Sequence, residues 1–279
     1  AIFQIVNLWP TIGRGTMVGN LSYSYTKIIA SVVSLIFNFF LSLLLFASWA
    51  VGESYARTLW PEKLRGIDGF IKGHLTSIST GSALMKGMIL GLGYTVINMI
   101  IPLVLNKPHA NIFVSATKNM NIIYGGYLPG GMILLESFLS ATLSSIVISF
   151  FIINISYQRW KKKWISILLA GLVTMMGVVI AETPPSLNNF AIDLLSYFIF
   201  GCMIGYIYFL FDVLTIGSMF FHASLLSGAF LLYAGANSFY NYNFFFVVIA
   251  FLTTPVLYMV SRIKKEEFVL DNYGLPFHI

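Results

Sequence analysis

Residues Leu128–Trp164 read LPGGMILLESFLSATLSSIVISFFIINISYQRWKKKW. A proline and two glycines open the stretch, an apolar run with one carboxylate and a series of serines fills it, and cations mixed with aromatics close it. A helix rises about 1.5 Å per residue, so a hydrocarbon core of about 30 Å takes about 20 residues to cross. Ile133–Ile155 meets that length. The sequence therefore predicts a membrane-spanning helix, with the cations as its stop signal.

Two stripes run along this helix at i, i+4 spacing: Ser137, Ala141, Ser145 and Ser149 form one, and Glu136, Ser140 and Ser144 form its neighbour. In lipid, small side chains permit close helix approach and hydroxyls bond across helices or back to their own carbonyls, so such a face is expected to point into a bundle. Glu136 stands apart, because a carboxylate within a span needs a partner or a wet cavity.

The whole chain extends this picture. Its 279 residues are 58% hydrophobic and 9% charged, with a mean hydropathy of +0.84. No soluble core absorbs that much apolar surface, which predicts an all-α, polytopic integral membrane bundle. Continuous apolar runs, rather than alternation over about ten residues, exclude a β-barrel. The lone Cys202 excludes an internal disulfide framework and a cysteine zinc site, and reads as a small packing residue. The formal charge of +6 lies beside the apolar segments, where it reads as topology and not as nucleic-acid binding.

In chain order, residues 1–27 read as an interfacial arm, 28–263 as a transmembrane helical domain and 264–279 as a polar tail. Seven spans are expected: Ile28–Val51, Ala83–Leu105, Ile133–Ile155, Ile165–Ala181, Phe190–Phe211, Ile216–Tyr233 and Phe244–Ser261. Glu53 and Arg57 close the first at the spacing of an ion pair. The segment from Arg57 to Lys86 mixes cations with Trp60, Phe70 and other apolar residues, as a membrane-surface segment does. Gly87, Gly91 and Gly93 suit tight packing of the second span. Alternating loops put the Arg57–Lys86 segment, the Arg159–Lys163 block and Arg262–Lys265 on one side, which the positive-inside rule makes cytoplasmic. The amino terminus is then outside and the carboxyl terminus inside.

Phosphate-binding glycine loops, paired-histidine zinc helices and G-x-S-x-G elbows are absent from the sequence, and neither a cofactor nor a metal is expected. Of the four histidines only His222 falls inside a span. Glu136, the serine stripes and His222 make up the intramembrane polar set, with Glu182 and Asp193 near the outer rim. A carboxylate and an imidazole activate a water only where they meet.

The order of features from Pro129 to Gly228 resembles a known family: a central helix with a polar face, a cationic turn, a helix ending in Pro184-Pro185, a glycine-containing helix, then Phe220-Phe221-His222-Ala223. This is the CAAX-protease and bacteriocin-processing family, the intramembrane glutamic endopeptidases related to the prenyl-protein protease Rce. The resemblance implies a CAAX-protease-like core over about 129–235. Gly52–Leu64, GESYARTLWPEKL, also looks like the preceding region of larger bacterial members.

The family carries two adjacent glutamates and a following arginine on the central helix, a histidine on the next helix, and a later histidine with asparagine four positions on. Those places are held here by Ser144 and Ser145, by Ser149, by the neighbourhood of Val178, and by His222 with Leu226. His222 alone is kept. A hydroxyl does not replace a carboxylate as general base without its own activating base. Rescue would fall to Glu136, about 12 Å along the axis from Ser144, or to Glu182.

The resemblance therefore implies an inactive relative in a bacterial inner membrane, in contact with lipids and other membrane subunits, acting as a scaffold or binding subunit. The alternatives are an active endopeptidase with a shifted carboxylate, and a small transporter or lipid-handling protein using the polar stripes.

Overall fold

The structure, a computed structural model, describes residues 23–104, 127–181, 187–234 and 238–266. These are helical, without strands among the described residues. The helices are α1 (Tyr23–Leu59), α2 (Arg65–Ile71), α3 (Ile78–Val104), α4 (Pro129–Ser144), α5 (Asn154–Trp160), α6 (Lys163–Ala181), α7 (Leu187–Leu210), α8 (Val213–Ala234) and α9 (Ser238–Lys264). A 3-10 turn, Pro61–Leu64, precedes α2, and a π-helical segment, Ser145–Ile153, joins α4 to α5 without interrupting the rod.

Each expected span is helical over its described residues apart from Phe211, which lies just past the end of α7. Among the described residues four helices are long and apolar enough to cross a membrane: Lys27–Leu59, Pro129–Trp160, Val213–Phe230 and Phe239–Lys264. Lys163–Met176 and Tyr197–Leu210 are shorter apolar helices. The expected count of seven spans is not confirmed: among the described residues four helices have membrane length. The arm at 1–22, the tail beyond 266 and Glu182 lie outside the described residues. These long apolar helices are compatible with a membrane location.

The chain divides into two compact units interleaved in sequence, with boundaries inside helices and not at linkers. The first comprises Ala1–Ala47, Ile89–Thr142 and Phe220–Leu252. Its core is Ile133 of α4 with Leu225, Ala229 and Leu232 of α8 and Val247 of α9. Gly228 permits this, since a Cβ there would strike the Ile133 side chain. One free N–H at the start of α4 is satisfied from α9, where Asn243 Oδ1 accepts from the Gly130 amide at 2.9 Å. In the α1 part of this unit Phe37, Phe40 and Phe46 are exposed, as befits side chains facing lipid. Asn38 is satisfied within its own helix, donating to the Ser34 carbonyl at 2.7 Å.

The second unit comprises Ser48–Met88, Leu143–Met219 and Thr253–Ile279. Here α6 meets α7 along small residues. A Cβ at Gly201 would strike Thr174, the Ala170 carbonyl and the Gly171 backbone, and one at Gly171 would strike Cys202 Sγ. Backbone contact of this closeness is the usual means of helix association in lipid, and Cys202 has the packing role expected of it. Gly87 serves the same end against Thr215 and Ser218 of α8. Gly93 does not, because among the described residues nothing lies within 4 Å of the position a Cβ would take. Spacing alone does not tell which side of a helix faces a neighbour.

Candidate functional site

Ser144, Ser145 and Ser149 fall in the second unit, whereas Glu136 and His222 fall in the first. Ser144 ends α4, and Ser145 and Ser149 belong to the π segment; the side chains of Ser144 and Ser149 lie outside the described residues. Ser145 is buried, and its hydroxyl has no hydrogen-bond partner among the described residues. It stands 3.1 Å from where a Gly217 Cβ would be. The stripe does face protein here: Ser137 is fully buried, Ser145 is 5% exposed, and Ser137 bonds back to the Ile133 carbonyl at 2.7 Å. Glu136 is half-buried.

His222 is 1% exposed. Its ring stands edge-on to Phe221 and to Phe251, with centroids 5.2 and 5.3 Å away. Phe251 also lines a cavity of about 230 Å3 between α8 and α9, bounded by Leu225, Leu226, Phe230, Phe244 and Val247 among others, all apolar. Leu226, which holds the place of the expected histidine partner, is part of that wall. Among the described residues no group of three or more His, Cys, Asp or Glu is arranged to hold a metal.

The denser polar assembly lies in the second unit, around the end of α1. Arg57 donates to Glu53 Oε1 at 2.7 Å, which is the expected pair. It also forks onto both oxygens of Asp68 in α2, at 2.9 and 3.1 Å. Such a two-point fork fixes orientation as well as charge. One turn before, the Gly52 carbonyl accepts from Asn154 Nδ2 at 3.2 Å, and Asn154 Oδ1 accepts from the Tyr208 hydroxyl at 2.7 Å. A Cβ at Gly52 would strike Phe150, so α1 and the π segment touch backbone to backbone.

Lys63, in the 3-10 turn, donates to the carbonyls of Tyr208, Phe211 and Phe209 at 2.6, 2.9 and 3.2 Å. These carbonyls at the end of α7 have no further turn to donate to them, and a cation there also faces the negative end of the helix dipole. Burial pulls the Lys63 ammonium below its ordinary value, against the opposing pull of Glu62 and Asp212; Lys163 adds to the lowering. Asp212 begins the next helix, accepting from the Thr215 amide at 2.7 Å as an N-cap. Desolvation pushes its carboxyl above the usual carboxylate range, opposed by the Thr215 hydrogen bonds and by Lys86 and Lys63.

Asn154 was open to detection as an amide inside an apolar run, and Lys63 and Asp212 as charges beside helix ends. Their partners lie too far along the chain for periodicity to name. All three cation-rich segments, Arg57–Lys86, Arg159–Lys163 and Arg262–Lys265, belong to this second unit. Within it, the Ile78 amide at the start of α3 donates to the Glu266 carbonyl at 2.9 Å, just beyond the end of α9.

No family model, no curated protein and no solved structure matches the chain.

Proposed function

We propose that this chain is a polytopic membrane protein related to the CAAX-type intramembrane proteases, with an inactive site, and that it works by binding: as a scaffold in a membrane complex or as the holder of an apolar client segment. The observation that carries this reading is the setting of His222. Its ring packs edge-on to Phe221 and Phe251, and the cavity that Phe251 helps to line is wholly apolar. Activation of a water needs a polar pocket that admits it, whereas an apolar cavity accepts a hydrocarbon surface.

The proposed location is a bacterial inner membrane with the amino terminus outside. Support for the shared sidedness of the three cation-rich segments comes from their common membership of the second unit and from the Ile78–Glu266 hydrogen bond. Other membrane subunits and lipids are the proposed partners.

The test is turnover by the full chain in proteoliposomes offered prenylated and transmembrane peptides. The expected result is binding without cleavage, and binding that survives His222→Phe. Cleavage of a defined peptide that disappears in His222→Ala or Glu136→Gln would overturn the proposal in favour of an endopeptidase with a shifted carboxylate. That second reading draws on the presence of Glu136 and His222 in the same unit.

A further inference from the structure

The turn that joins α5 to α6 carries Arg159, Lys161, Lys162 and Lys163 within five consecutive positions, and all four are exposed. Among the described residues no carboxylate forms an ion pair with any of them; Lys161 Nζ donates instead to the neutral Gln158 Oε1 at 2.6 Å. Arg57 in the same unit is held by two carboxylates, so pairing is available to this protein where a cation has a structural task. Trp160 and Trp164 flank Lys161–Lys163 and are 50% and 59% exposed. Tryptophan so placed sits at the headgroup level of a bilayer, with its ring partly in hydrocarbon and its N–H in the wet layer.

The turn is also fixed from beneath. Lys161 takes a left-handed conformation with φ of 53°, and its amide closes onto the Tyr157 carbonyl at 2.8 Å. The Tyr157 ring packs on Trp60 at 4.6 Å and on Phe209 at 5.9 Å. The Lys163 ammonium lies 5.7 Å from the centre of the Phe209 ring. The cations are therefore presented from a packed aromatic base, and the free N–H groups at the start of α6 add positive potential at the same place.

We infer that the Arg159–Trp164 turn is a docking surface for the anionic phospholipid headgroups of the adjoining leaflet. The inference rests on the reading of the chain as membrane-spanning. The occupant follows from charge complementarity: a row of cations without acidic partners among the described residues, at headgroup depth and interleaved with two interfacial indoles, faces lipid phosphates. A zwitterionic headgroup offers the same phosphate but cancels its charge, so the surface discriminates between the two lipid classes.

The test reconstitutes the full chain in phosphatidylcholine vesicles and compares its association with chain-labelled phosphatidylglycerol and chain-labelled phosphatidylcholine by electron paramagnetic resonance. Expected is a preference for phosphatidylglycerol of about fivefold, the ratio that about 1 kcal/mol corresponds to. It should weaken with added salt, fall to near parity in R159Q/K161Q/K162Q and persist in K161R/K162R. Equal association of both lipids with the native chain, or a preference untouched by the triple substitution, overturns the inference alone. Flotation and resistance to alkaline extraction report insertion separately. A chain that fails to insert overturns both this inference and the membrane reading beneath it.

Discussion

The ammonium of Lys63 donates to the carbonyl oxygen of Tyr208 at 2.6 Å across 145 residues of chain. Its bonds to Phe209 and Phe211 complete the closure of α7. Helix termini near a membrane need such partners, because their last carbonyls are otherwise left to whatever water reaches them. Lys63→Met keeps the length of the side chain and removes the donor. It should lower stability in detergent by about 1–3 kcal/mol, the range for hydrogen bonds from a charged group, with the first loss of amide-exchange protection in the last turn of α7. Unchanged protection there would show that water caps the helix equally well.

Asn154 ties two partners at once, the Tyr208 hydroxyl and the Gly52 carbonyl. Asn154→Leu leaves both without their partner and should cost about 1–3 kcal/mol for each group stranded in a buried place. Tyr208→Phe removes only one link. A double-mutant cycle between the two positions should return a coupling of about 0.5–3 kcal/mol; additive losses would show that the hydrogen bond contributes nothing of its own.

The glycines separate into those that touch a neighbour and those that do not, Gly93 among the latter. Gly52→Ala drives a methyl into Phe150, and Gly201→Ala drives one into the α6 backbone, so each should destabilise by about 1–3 kcal/mol through overpacking. Gly93→Ala meets open space and should stabilise α3 by up to about 1 kcal/mol, the difference in helix propensity. Thermal unfolding of the three variants in one detergent distinguishes contact from mere spacing. A destabilised Gly93→Ala would contradict the open face.

Asp212 gives the chain a pH dependence with a definite sign. Its carboxyl is raised above the ordinary range, first by desolvation, so the folded chain binds that proton more tightly than the unfolded chain. The associated stability is present below the ordinary carboxylate range and is lost as pH rises through the raised value. Asp212→Asn retains a cap acceptor and cannot titrate. It should flatten the fall in unfolding temperature as pH rises above about 4. A slope that survives the substitution would assign the dependence to another group.

Much of the fold was visible in the sequence because it depends on local properties. Apolar runs of membrane length became helices, the Glu53–Arg57 pair formed at its i, i+4 spacing, and Ser137 and Ser145 lie on a buried face. What spacing did not contain was the choice of distant partner. Asp68 joins Arg57 through a turn whose geometry no periodicity encodes, and Lys63 meets α7 only once the unit has assembled. The π segment was hidden for a different reason: Ser145–Ile153 is as apolar as any α-helical run and carries no residue signature of its wider winding. The expected site was visible as residues and not as geometry, since sharing a helix does not say what a histidine ring rests against.

The π segment has one more consequence. Wider winding advances each residue through a smaller angle than an α-helix does, so Ser145–Ile153 acts as a phase shifter within one continuous rod. Faces aligned by counting every fourth residue before Ser145 no longer align after Ile153, and Asn154 reaches Gly52 in this shifted frame. The rod therefore stores surplus length in its middle. Removal of one residue there can be absorbed by tightening toward α-helical winding, while the helix ends on either side keep their own partners.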